Sequence, residues 1–253
     1  MCNTASGSYS TVAGGWKNEA SSTNATIGGG FCNTASCYSS TVAGGQCNTA
    51  QCIGSTIGGG CCNLAHEFAT IGGGVSGSAL GFYSIIGGGH QNATYTCYST
   101  IGGGHCNIAC NCYSTVGGGK GNEATNDYSV VGGGNLNLVS GTFSAIVGGC
   151  CNCVSGNTAI IGGGACNTIT DKSATIAGGY RNVADIEYSA ILGGCSNDIN
   201  SQRLAMIVGS SITASLSNAT HVNRLLITEI PIVSAGLPSG TVWSNSGILE
   251  IIS

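Results

Sequence analysis

Apolar, small and polar residues alternate along this chain in a pattern that repeats almost without error. A Gly-Gly pair ends at residues 15, 30, 45, 60, 74, 89, 104, 119, 134, 149, 164, 179 and 194. The interval is fifteen residues throughout, except for fourteen between Gly60 and Gly74. "MIVGS" supplies a weaker copy, read as ending in register at Gly209. Take the last glycine of each pair as position 0. Position −3 is always Val or Ile, from Val12 and Ile27 to Ile176 and Ile191. Position −5 is small, as in Ser10, Ala25, Ser55, Ser99 and Ala174. Position +5 is Ala20, Ala35, Ala50, Ala65 and Ala79, widening later to Val139, Val154 and Ile169. Positions −5 and −3 are two apart, so a pleated strand turns both inward. β-branched residues favour such a strand. Each repeat therefore predicts two short strands, a thin core and glycines between the strands.

A period this short excludes paired-helix repeats and suits a β-solenoid, in which one repeat is one coil. The expected class is all-β: a parallel β-roll of about 15-residue repeats over residues 1–214, with a small C-terminal β cap over 215–253. Both prolines, Pro231 and Pro238, fall in that tail. "LLITEIPIV" reads as an interrupted strand, and "GLPSGTVWSNSGILEIIS" as a strand, a turn at 244–247 and a final strand. Position +3 is Asn in twelve of the thirteen repeats, with Gly77 the exception. This column reads as a stacked amide ladder at a left-handed turn. Thirteen coils at ~4.8 Å each predict a rod of about 60 Å.

Composition narrows the function. Charged residues make up 6% of the 253, the net charge is −4, and no Asp, Glu, Lys or Arg occurs between Phe68 and Gly119. That leaves no footprint for nucleic acid. No apolar run is long enough for a membrane-spanning helix, and membrane insertion is not expected. The amino-terminal residues have neither the basic nor the apolar part of a secretory signal.

The strings "NTASGSYSTVAGG", "NTASCYSSTVAGG" and "NIACNCYSTVGGG" resemble head repeats of trimeric autotransporter adhesins and related repeats of phage tail fibres. The resemblance covers residues 1–214. It implies a left-handed parallel β-roll, a homotrimer and an adhesive or structural role. No heptad run or set of long alternating strands follows the repeats. A phage or viral tail fibre is therefore favoured over a membrane-anchored bacterial surface protein. The implied partners are two further copies of the chain, other fibre or virion proteins, and glycans of a host surface. The implied location is a virion or extracellular fibre assembled in a reducing cytoplasm, with a bacterial cell surface as the alternative.

Catalytic and metal chemistry find little support, so no enzyme activity, cofactor or metal is expected. Of sixteen cysteines, Cys2, Cys32, Cys47, Cys62, Cys106, Cys151 and Cys166 share position +2. Lys17, Gln91, Leu136 and Arg181 take the same place elsewhere, so the column is not a required ligand set. "HCNIACNC" and "CCNC" lack a second Cys-x-x-Cys half. Reduced, metal-free thiols are the expectation. The glycine runs carry no following Lys-Ser/Thr and open no helix, so they are not phosphate loops. A threonine file at position −4 raises an ice-binding alternative, but position −2 never supplies the second threonine of a Thr-x-Thr face. The one candidate site is an aromatic column at position −6: Phe68, Tyr83, Tyr98, Tyr113, Tyr128 and Phe143. Tyr9 and Tyr188 share the register. Strand alternation places the column outside, either as a structural ladder or as a stacking strip for sugar rings.

Overall fold

A computed structural model describes residues 2–224 and the strands Val242–Asn245 and Ile248–Ile251. Each repeat contributes two strands of two residues, as in Ser78–Ala79 followed by Ile85–Ile86. The first strands stack into a parallel sheet of 14, from Thr4–Ala5 to Asp198–Ile199. The second strands form a sheet of 15, from Thr11–Val12 to Thr220–Val222. A third wall follows the glycine corner, where position +1 residues bridge coil to coil, as in Val75 to His90 to His105. The result is a parallel β-solenoid; the described residues include no helix. One compact unit spans Met1–His221 and a second Val222–Ser253. In the second, Val242–Asn245 and Ile248–Ile251 pair antiparallel, with Asn245 opposite Ile248. The interrupted strand expected in "LLITEIPIV" lies outside the described residues.

The predicted inner files form the core. Ile86, Ile101 and Val116 stack in register, as do Ala50 and Ala65, and all are buried. Position −5 serines from Ser40 to Ser189 are buried too, and most of their hydroxyls bond back across the turn, that of Ser84 excepted. Ser99 Oγ donates to the Thr96 carbonyl at 2.7 Å, and Ser114 Oγ to that of Asn111 at 2.5 Å. A small residue is therefore required for space, and serine, where it stands in place of Ala25 or Ala174, adds a local hydrogen bond.

Two irregular coils show where the fold is elastic. The arc between strands spans residues 80–84 in a regular coil but only 66–69 in the fourteen-residue one. The strands stay in register on both sides of that deletion. In the last coil the arc gains a residue, so Ile191 pairs with Ile207. The strand register shifts by one there, and Ile207 is the core residue. The corner keeps its register at Gly209: Asn197 Nδ2 donates to its carbonyl at 2.7 Å, as Asn182 Nδ2 does to that of Gly194, though its φ of 154° is close to that of Gly193 (151°).

The asparagine ladder exists, but not for the reason of left-handed geometry. None of these asparagines has a positive φ; the residue before each one does, as at Cys106 (φ 54°) and Cys151 (φ 57°). Each asparagine instead links three coils. Asn107 Nδ2 donates to the carbonyls of Gly103 (2.9 Å) and Gly119 (3.0 Å). Its Oδ1 accepts the N–H of Asn122 at 3.0 Å, and its own N–H donates to Asn92 Oδ1 at 3.0 Å. Satisfying buried amides and carbonyls this way offsets the desolvation of the glycine corner.

Candidate functional site: the aromatic ladder and the bare face

Position −6 falls in the arc, not in a strand. Its residues hold left-handed backbone, with φ of 57° at Tyr98 and 59° at Tyr113. The aromatic column does point outward, but a turn places it there rather than strand alternation. A non-glycine residue at this angle costs about 1 kcal/mol. Contact between rings in successive coils offsets the cost.

All six predicted residues join one ladder. Centroids lie 5.1 Å apart for Phe68–Tyr83, 5.5 Å for Tyr83–Tyr98 and 5.0 Å for Tyr98–Tyr113. The series continues at 4.9 Å for Tyr113–Tyr128 and 4.7 Å for Tyr128–Phe143. Interplanar angles from Tyr98 to Phe143 are 10° or less. Phe82, one residue before Tyr83, adds an edge-on contact at 4.3 Å. Gly54 occupies the same position in the coil before Phe68, and a Cβ there would fall 2.6 Å from the Phe68 ring. At the other end stands Phe143, 61% exposed, followed by Thr158. Each inner ring face is covered by the next ring. Tyr83, Tyr98, Tyr113 and Tyr128 stay 44–46% exposed. Burial, and then its neighbours Tyr128 and Tyr98, push the Tyr113 hydroxyl above its ordinary pKa. Tyr9 and Tyr188 share the register but not the ladder.

Replacing Tyr98 and Tyr113 together with serine removes the centre of this stack. Aromatic pairs contribute ~0.5–1.5 kcal/mol each beyond area burial, and three pairs are lost. The expected result is a melting temperature lowered by several degrees. A melting point equal to the parent's would show that the ladder carries no stability.

Beside the ladder lies a face that the sequence pattern left unremarked. From position −6 to 0, none of the thirteen repeats carries an Asp, Glu, Lys, Arg or His. Charges sit instead on the first strands, the glycine corner and the arcs, as with Lys17, Glu123 and the Lys172–Glu187 pair at 2.9 Å. That pairing raises the Lys172 pKa. On the uncharged face the outward residues are Thr100 and Thr115, then exposed Ile85, Val130 and Ile160, flanked by glycine.

The glycines of that face have unlike causes. Position 0 has φ of 84° to 103°. A Cβ at Gly104 would lie 2.2 Å from the carbonyl oxygen of Gly119. Position −1 is glycine in all thirteen repeats as well, yet a Cβ there would meet nothing nearer than 3.9 Å. Apart from Gly29, Gly59 and Gly193, none of these position −1 glycines has a positive φ. At the other ten, neither a positive φ nor a lack of room for a Cβ explains the glycine. The invariant column was visible in the sequence, but only the coordinates separate a glycine needed by its own coil from one that is not.

His90 and His105 stack at 5.0 Å, and His105 Nε2 lies 3.6 Å from Cys106 Sγ. Among the described residues, no group of three or more His, Cys, Asp or Glu is placed to hold a metal ion.

Among families of known proteins, residues 10–21 match the ubiquitous surface protein adhesin repeat. The matched stretch, "STVAGGWKNEAS", runs from the second strand of one coil, over the glycine corner, to the first strand of the next. No curated protein matches the chain. The chain is thus a parallel β-solenoid in which one coil corner is similar to a surface-adhesin repeat.

Proposed function

We propose that this chain is a segment of a non-enzymatic attachment fibre, assembled from three copies through the uncharged glycine face. The observation that carries the reading is the file of glycines at position −1, which the single chain leaves room to fill but never does. A backbone of another copy lying against that file would require it. The thin core points the same way. One coil buries one Val or Ile and two small residues, while glycine-rich backbone is costly to order. Burial against neighbouring chains supplies what the coil lacks. Three copies, rather than two, follow from the resemblance to trimeric adhesin heads. A phage or viral tail fibre is the setting we favour. Host-surface glycans would then meet the hydroxyl edges of the ladder and the open face of Phe143.

Gly103→Leu combined with Gly118→Leu tests this. A Cβ at Gly103 meets nothing within 4 Å, and one at Gly118 only the Gly103 oxygen at 4.0 Å. The variant is expected to lose the parent's assembly mass, leaving chains of 24.9 kDa whose β circular-dichroism signal melts well below the parent's. Retention of the parent's assembly mass would remove position −1 from the interface.

A further inference from the structure

Cysteines cluster at the glycine corner, outside the face assigned to assembly. Cys150 and Cys151 sit at positions +1 and +2 of one coil, with Sγ atoms 3.1 Å apart. Cys151 is exposed and Cys150 half-buried. The next coil brings Cys166 against Cys151, and the preceding coil brings Asn135, whose Nδ2 donates to Cys150 Sγ at 3.7 Å. A second pair has the same sequence spacing. Cys61 and Cys62 lie 3.2 Å apart, but Gln46, which stands where Asn135 does, bonds to Cys47 instead.

We infer that Cys150 and Cys151 form a reversible redox-active dithiol that exchanges electrons with small-molecule disulfides. Thiol–disulfide exchange needs a thiolate to attack and a second thiol close enough to resolve the mixed disulfide. Cys150 supplies the first. Hydrogen bonds from Cys151 and then Asn135 hold its pKa below the ordinary thiol value, against the effect of burial. The bond to Cys150, and then burial, raise Cys151. In the other pair, the bond to Cys62 and then burial raise Cys61.

The step balances without a metal or other cofactor. The Cys150 thiolate attacks one sulfur of a disulfide such as oxidised glutathione. The S–S bond breaks, one small thiolate leaves and takes up a proton, and a mixed disulfide remains on Cys150. Cys151 Sγ then gives up its proton, attacks the Cys150 sulfur and expels the second small thiol. Two electrons pass from the protein pair to the small disulfide, and its two thiols take up the proton that Cys150 released to solvent on ionising and the proton given up by Cys151. The product closes a ring between adjacent residues, whose Cα atoms are ~3.8 Å apart. Ordinary disulfides span at least ~4.4 Å. The ring is therefore strained and readily reduced, as a labile redox centre requires.

The test uses the full chain, fully reduced, exposed to oxidised glutathione at pH 7, quenched by alkylation and digested with trypsin. Lys120 and Lys172 bound a peptide that holds Cys150, Cys151, Cys153 and Cys166. The expected product is a Cys150–Cys151 disulfide without a retained adduct, formed at least about tenfold faster than one at Cys61–Cys62. Asn135→Ala should slow it to the rate of the Cys61 pair, while Cys151→Ser should trap the mixed disulfide on Cys150. Equal rates at the two pairs, a persistent adduct on Cys150 in the parent, or a disulfide to Cys166 in its place would overturn the assignment.

Discussion

Gly104→Ala is expected to destabilise the solenoid by about 3 kcal/mol or more, and Gly102→Ala two residues away by less than about 1 kcal/mol. Free space alone does not separate them. A Cβ at Gly104 meets the Gly119 oxygen at 2.2 Å, and one at Gly102 meets the Gly117 oxygen at 2.4 Å. The difference lies in the backbone. Gly104 has φ +92° and also crowds Asn107 Nδ2 at 2.6 Å, whereas Gly102 has no positive φ. Position −2 already holds Ala13, Ala43, Ala177, Val147 and Leu192 in other coils, so the chain relaxes there. Position 0 is glycine in all thirteen. Melting temperatures of the two variants check this, with ~2–4 °C expected per kcal/mol for a chain of this size. Equal shifts would mean that crowding between coils, not backbone angle, fixes the last glycine.

Asn107→Leu is the second large effect. Leucine roughly preserves volume but strands the Gly103 carbonyl and the N–H of Asn122, and takes one of two donors from the Gly119 carbonyl, which keeps the N–H of His105 at 2.9 Å. An unsatisfied buried group costs about 1–3 kcal/mol, so a loss of about 3 kcal/mol or more is expected. Hydrogen exchange should quicken first at Asn122 and the coil around it. The chain carries a natural counterpart. At Gly77 the ladder is interrupted: Asn63 Oδ1 still accepts the Gly77 N–H at 2.8 Å, but position 77 has no amide to pass on to the next coil. Unchanged melting and exchange in Asn107→Leu would reduce the ladder to spacing material.

Much of this was legible because each coil repeats the same experiment. Val or Ile at −3 and Ala at +5 never take a charged residue, and that constancy identified the core without coordinates. The aromatic column was legible as a column, but its turn was not. Tyr98 and Tyr113 read as strand residues because Ser99 and Ser114 next to them alternate correctly. Left-handed backbone is not expected of tyrosine, yet the whole column holds it, including Thr158 and Tyr188 outside the ring stack, so the arc sets the angle and the rings only follow it. Asn107 misled in the opposite sense: asparagine suits a left-handed turn, but the turn is at Cys106, where no propensity points. The shift at Ile207 was hidden because the extra residue in the arc cancels in the glycine count. Position −1 was the least legible, since three adjacent glycines look alike until each is given a Cβ.

The claim at the centre is that this solenoid is built to be covered by copies of itself. The most direct measurement is the mass of the unmodified chain in solution by light scattering at micromolar concentration. A particle of three times 24.9 kDa is predicted. A stable, folded particle of 24.9 kDa would contradict it.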